Sequence, residues 1–252
     1  MRVLDTVDRR VLGAFRCVDA FSRQSVLDPL AVGGRALDIR RNASGVFVVF
    51  QALGLRDLTL QFNPTAPWPS ARAFEVTIVP AGARYFARRA QLSLPRKPTP
   101  VNDPDSSMRP QDVTLFPGPA AVLGFNWAVV RVSVTKGVSR IGVPWAMLRL
   151  TRDSDAAVLA TGMSDRQGEA VLAVPGIGQS ASVSDEGDVM TTTVAATVTA
   201  YVDPDNFIRS DTWLPDPDDV LNDLDNPVLK TLTQAVKIGR GTQSHFEMPI
   251  AV

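Results

Sequence analysis

Val130-Arg-Val-Ser-Val-Thr135 alternates apolar and polar residues, the period-two pattern of a strand with one buried and one wet face. Ala146-Met-Leu-Arg-Leu150 and Glu169-Ala-Val-Leu-Ala-Val174 extend the set. So does the run from Thr191 to Val202, whose many β-branched residues suit a pleated surface. Upstream, Gly45-Val-Phe-Val-Val-Phe-Gln-Ala52 is a β-branched and aromatic run bounded by turn residues, and Phe74-Glu-Val-Thr-Ile-Val79 alternates again. No helical stretches of 10 to 15 residues alternate with these strands, which argues against a parallel α/β fold. The expected class is all-β, with two antiparallel β-sandwich modules.

The chain has 252 residues, 26 basic and 26 acidic side chains, one Cys and one His. That length suits one large domain or two modules. Hydrophobic content of 45% is ordinary for a globular protein. No run approaches the roughly 18 apolar residues of a membrane span, and the charged start Met1 to Arg10 lacks an apolar signal-peptide core. The expectation is a chain that is cytoplasmic on synthesis and ends in a released particle. One Cys permits no intrachain disulfide. Zinc sites that need two His or two thiolates, and iron–sulfur clusters held by several Cys, are excluded. No cofactor is expected.

Between Leu94 and Pro119 the composition shifts. Pro95, Pro98, Pro100, Pro104, Pro110, Pro117 and Pro119 are mixed with Asn, Asp and Ser, so neither helix nor central strand fits. The expected organisation is a basic sandwich over 1–94, a proline-rich linker over 95–119, a second sandwich over 120–203, and an acidic C-terminal segment over 204–252. Charge divides along the same axis. Residues 1–100 carry 15 basic and 7 acidic side chains (+8), and the remainder carries 11 and 19 (−8). Such polarity can steer partners, or copies of the chain, into one orientation.

An internal repeat links the two halves. Arg16 precedes Pro29 by 13 positions, as Arg131 precedes Pro144. Asn42-Ala-Ser-Gly45 precedes a strand ending at Leu53-Gly-Leu55, and Asp165-Arg-Gln-Gly168 precedes one ending at Pro175-Gly-Ile177. In Asn/Asp-x-x-Gly the first side chain closes a turn and Gly accepts positive φ, so Asn42, Gly45, Asp165 and Gly168 are expected hairpin-turn residues. On Gly142-Val-Pro144, Ser164-Asp-Arg-Gln-Gly168-Glu and Val174-Pro-Gly-Ile177, the segment 130–202 resembles the transthyretin-like or carboxypeptidase-regulatory-like β-sandwich; 16–94 is a weaker second copy. The resemblance implies seven or eight antiparallel strands and an accessory, spacer or binding module.

The last 50 residues read differently. Asp203, Asp205, Asp211, Asp216, Asp218, Asp219, Asp223 and Asp225 crowd together without EF-hand spacing, and turn formation explains most of them. Asn226 to Gly239 then reads as a short helix, with Asn226 as N-cap, Pro227 at its first position and an apolar stripe of Val228, Leu229, Leu232 and Val236. His245-Phe-Glu-Met-Pro-Ile-Ala-Val252 reads as an extended apolar tail. The stripe, with Phe246, Met248 and Ile250, forms a candidate partner-docking set that packs in cis or in trans. A chain truncated after Pro204 is expected to keep a folded sandwich and lose assembly.

Chemistry is hard to place. Cys17 reads as a small core residue and His245 as a surface or docking residue. The basic residues of the first half lack an RNP-like aromatic pattern, so nucleic acid is disfavoured as a partner. The reading that follows is a non-enzymatic structural subunit bound to other protein subunits or to copies of itself. Its style resembles baseplate, spike or accessory proteins of phage-tail-like and contractile injection particles. The alternative is a β-sandwich module that binds carbohydrate or protein, with Trp68, Trp145 or Trp213 as platform.

Overall fold

A computed structural model describes residues 10–60, 67–177, 193–210 and 212–251. Thr191, Thr192, Gly178, Asp211, Val252 and the stretch before Arg10 lie outside the described residues. The fold is all-β. The chain divides into two compact units: the described residues of Met1–Val18, Gln24–Ala81 and Ala87–Thr114, and those of Asp19–Arg23, Gly82–Phe86 and Leu115–Val252.

The first unit contains β1 (Gly13–Asp19), β2 (Leu30–Gly33), β3 (Asp38–Arg41), β4 (Phe47–Gln51), helix α1 (Arg56–Leu60), β5 (Arg72–Pro80), β6 (Arg88–Leu94) and β7 (Gln111–Leu115). One sheet has the order β3-β4-β1-β7 and the other β2-β5-β6. Phe15 and Phe47 stack at 5.0 Å, and Val49, Val76, Ile78, Leu92 and Leu94 are buried with them. Arg88 is fully buried; its Nε donates to Arg89 O (2.8 Å) and its Nη1 to Thr114 O (2.7 Å), tying β6 to β7. Cys17 is buried, and burial pushes its thiol up to about 12.

The proline-rich stretch is not a free linker. Arg96 N donates to Leu12 O (2.7 Å), Lys97 N to Asp105 O (2.9 Å) and Ser107 N to Lys97 O (2.7 Å). The prolines are spaced so that the N–H groups between them remain available. Gln111 to Leu115 is a proline-free alternating run long enough to make β7 beside β1.

The second unit contains β8 (Ala128–Lys136), β9 (Ile141–Gly142), β10 (Met147–Arg152), β11 (Val158–Met163), β12 (Glu169–Val174), β13 (Thr193–Val202), helix α2 (Pro217–Leu221), β14 (Lys230–Gly239) and β15 (Gln243–Ile250). Its sheets are β11-β10-β13-β14 and β12-β8-β15, with β9 also on β8. Val130, Val132, Val134, Leu148, Leu150, Leu172, Val198 and Val202 form one core between them.

Two expectations fail here. Residues 226–239 are not a helix. Asn226 Oδ1 accepts from Val228 N (3.0 Å) and closes a single turn, after which β14 pairs with β13 along ten residues. Val228, Leu232 and Val236 recur every four residues, a spacing that fits one strand face as well as one helix face. Thr231, Thr233, Val236 and Ile238 tip the balance to strand. Nor is 204–252 an appendix. β14 and β15 complete the two sheets, and β15 pairs with β8 in parallel, so the sandwich is not purely antiparallel.

The paired turns are alike in detail. Asn42 Oδ1 accepts from Ser44 N (3.0 Å) and Val46 N (2.9 Å); Asp165 Oδ1 accepts from Gln167 N (2.8 Å) and Glu169 N (2.9 Å). Gly45 and Gly168 sit at φ +81 and +84. Seven strands follow in the same succession in each unit, counting β9 with β10. The third differs in partner: β3 pairs with β4, whereas β11 pairs with β10.

The same substitution should cost different amounts in the two turns. A Cβ on Gly168 would lie 2.2 Å from Val134 O and 2.8 Å from Val143 N, whereas on Gly45 its nearest neighbour is the movable Leu27 Cδ2 at 2.8 Å. Gly45→Ala is expected to cost about 1–2 kcal/mol of left-handed strain, and Gly168→Ala more than about 3 kcal/mol, by denaturant unfolding. A chain ending at Pro204 loses β14 and β15 and bares Ile238, Met248 and Ile250's partners. It should lose the cooperative unfolding of the second unit, read by near-ultraviolet circular dichroism.

Candidate functional site: the outer face and edges of the second unit

The period-two alternation of β8 puts Arg131, Ser133 and Thr135 on the face opposite the core residues Val130, Val132 and Val134. Register places Glu169 of β12 opposite Ser133, and β15 brings His245 and Glu247 alongside. Ser133 Oγ donates to Glu169 Oε2 (3.0 Å) and lies 3.2 Å from His245 Nε2. Thr135 Oγ1 donates to Glu247 Oε1 (2.9 Å), which Arg140 approaches at 4.0 Å.

Ser, His and Glu are the residue types of a hydrolase triad, but the order of contacts is wrong. In a triad the imidazole sits between the carboxylate and the hydroxyl and takes the hydroxyl proton. Here Ser133 is the middle member. With the hydroxyl donating to Glu169 Oε2, the contact with the ring is a hydrogen bond only in the tautomer that carries hydrogen on Nε2. A protonated Nε2 cannot act as base toward Ser133. The row is a polar latch across β12, β8 and β15. No partner of His245 is visible along the chain, because Ser133 and Glu169 lie 112 and 76 positions away and are brought near it only through strand register.

The candidate docking residues separate by environment. Met248 and Ile250 are 1% and 2% exposed and belong to the core of their own unit, and Leu232, Val236 and Phe246 are half-buried against it. Alternate side chains of a strand face the same way, so completing the sheets in cis consumes them. Leu229 is half-buried and Val228 exposed. Of the acidic residues, Asp203 and Asp216 cap short helices, accepting from Asp205 N (3.0 Å) and Asp218 N (3.2 Å), and Asp223 binds Asn226. Among the described residues no three His, Cys, Asp or Glu lie close enough to hold a metal ion. Trp145 packs edge-on to Phe86 at 6.1 Å, and Trp213 lies under Arg209.

Among the described residues, β14 is the longest strand at a sheet end of the second unit. Ten residues long, it pairs with β13 on one side and stands at the end of its sheet on the other. Lys230, Thr231, Thr233, Gln234, Ala235 and Lys237 are exposed along it.

If Ser133 lacks an activating base, a fluorophosphonate probe should leave it unlabelled under conditions that label a serine hydrolase. Labelling lost in Ser133→Ala would overturn the latch reading.

No protein-family model matches the chain, and no curated protein matches it. Among solved structures it is similar to the Bacillus anthracis TIE protein, at 8% identity and a TM-score of 0.29. The match covers 96% of this chain and 34% of that one, so the chain spans about a third of that protein's length. So slight a likeness bears on neither fold nor function.

Proposed function

We propose that this chain is a non-enzymatic structural or assembly subunit of a larger protein complex, of the kind that builds phage-tail-like or contractile injection particles. We further propose that it engages its partner by strand addition at β14. The observation that carries this reading is the contrast between β14 and the other edges. An edge strand presents unpaired N–H and C=O groups, and proteins that avoid pairing shorten or guard such edges. The edge strands β2 and β3 have four residues, β7 five, and β11 and β12 six. On β15, Pro249 lacks an N–H and Glu247 adds charge. On β6, the Gln111 side chain occupies Ser93 N (3.0 Å) and Ser93 O (3.4 Å). β14 has no proline, its two charges stand at Lys230 and Lys237, and Gln234 Nε2 reaches one of its carbonyls, Ala235 O, at 3.4 Å.

Supporting the same reading, the opposite charges of the two halves favour one docking orientation. Among its described residues the second unit has eight strands, within the seven or eight that the transthyretin-like resemblance implies. The partner class is an extended strand from another subunit or a second copy.

The test is native size in gentle lysate of the source cells, by size exclusion with specific detection. Wild-type chain should elute in a megadalton fraction. Thr233→Lys with Ala235→Lys, at exposed positions, should leave the melting temperature unchanged and shift the chain to the size of a single subunit. Wild-type elution as a single subunit would sink the proposal.

A further inference from the structure

The residues of β14 follow a two-fold pattern. Reading outward from Gln234, Thr233 matches Ala235, Leu232 matches Val236 and Thr231 matches Lys237: small, then aliphatic, then polar on both sides. Alternation puts Leu232, Gln234 and Val236 on the core face of the strand, and Thr231, Thr233, Ala235 and Lys237 on the other. Leu232 and Val236 pack against the core of their unit yet stay only half-buried, while Thr231, Thr233, Gln234, Ala235 and Lys237 are exposed. β13 pairs with all ten residues from one side, and among the described residues no strand pairs with the other.

We infer that β14 pairs with the β14 of a second copy of this chain, antiparallel about a two-fold axis at Gln234. This rests on the strand addition proposed above and names its partner. A two-fold axis perpendicular to the sheet keeps both core faces on one side, so every residue meets one from its own face. Registers centred on Thr233, Gln234 or Ala235 keep the strands in contact over most of their length. Centred on Thr233, Leu232 meets Gln234; centred on Ala235, Val236 meets Gln234. Both set an amide against an aliphatic side chain. Centred on Gln234, Leu232 of each copy meets the other's Val236, and Gln234 meets Gln234. Apolar pairs directly opposite one another stabilise a sheet, and an amide both donates and accepts, so it can satisfy its own copy. Within its own chain the Gln234 amide has only the contact of Nε2 with Ala235 O, at 3.4 Å. In this register Lys237 meets Thr231 and Lys230 meets Ile238, so no cation stands opposite another. The result is one continuous sheet with four strands from each copy. Such a contact closes at two, so the joined sheet is the unit that further contacts build into the complex.

The experiment uses the purified full chain, in sedimentation and in cross-linking of cysteine variants under mild oxidation. Wild-type chain should sediment at twice its 27.2 kDa mass as concentration rises, and should not cross-link, because Cys17 is buried. Gln234→Cys places two thiols across the axis and should give a covalent dimer. Thr231→Cys alone and Lys237→Cys alone hold like positions about 20 Å apart, beyond disulfide reach, and should stay uncross-linked. Mixed together, those two variants should cross-link, and they keep the test if Gln234→Cys fails to fold. A mixture that cross-links no better than its parts would overturn the inferred register. A chain that sediments as a monomer up to about 1 mM, beyond which specific pairing is negligible, would overturn self-pairing. If that monomer still loses its large complex in lysate on Thr233→Lys with Ala235→Lys, strand addition stands and the partner is a different subunit.

Discussion

Gly142 and the Asp165–Gly168 turn approach each other closer than any side chain permits. A Cβ on Gly142 would fall 1.8 Å from Gln167 O, and one on Gly168 would fall 2.9 Å from Gly142 Cα. Hydrogen bonds seal the contact: Val134 N to Gly168 O (2.8 Å), Val143 N to Val134 O (2.9 Å), and Ser164 Oγ shared between Ala146 N and Val143 O, both at 2.8 Å. Ser164 is wholly buried, so these bonds are shielded from competing water. The end of β8 is thereby fixed against β9 and the start of β12. Because β8 is the strand to which β12, β9 and β15 all attach, that fixed end sets the register of the whole sheet. One-residue slippage would turn Val130, Val132 and Val134 outward and Ser133 inward.

The first unit uses the same turn without the same lock. Asn42 and Gly45 repeat the hydrogen bonds of Asp165 and Gly168, but the group nearest Gly45 is a leucine side chain rather than a backbone strand. Without that anchor between sheets, β3 pairs with β4 as an ordinary hairpin, whereas β11 leaves the turn to pair with β10. Sequence identity between the halves is low because the hydrogen-bond geometry needs only an Asx residue and a glycine three positions on. The strands supply generic β-branched burial, which many sequences satisfy.

What was legible in the sequence was whatever depends on neighbours along the chain. Alternation marked β5 and β8, and the two turns were evident because their hydrogen bonds span only two to four positions. What was hidden depends on partners far away. Lys230 to Gly239 is ambiguous on its own, and only the ten-residue ladder offered by β13 makes it a strand. Proline density argued against structure over 95–119, yet β1 had an open side for Gln111 to Leu115 to fill. Of the candidate site, the docking residues were identifiable as apolar. The burial of Met248 and Ile250 depends on β15 joining β8 in parallel, a long-range connection that no local pattern encodes.

Buried polar groups separate structural from functional positions. Asp19 is buried, yet its carboxylate accepts from Phe21 N, Ser22 N, the Ser22 hydroxyl and the Tyr85 hydroxyl. Arg88 donates to two carbonyls, and buried Ser106 both donates to Thr99 O and accepts from Met108 N. Each of these groups exchanges water for protein partners at little net cost, and each holds segments together that would otherwise meet only through apolar contact. Trp68 Nε1 and Arg96 Nε are among the exceptions: both are shut off from water without a partner, and the packing around them bears that cost.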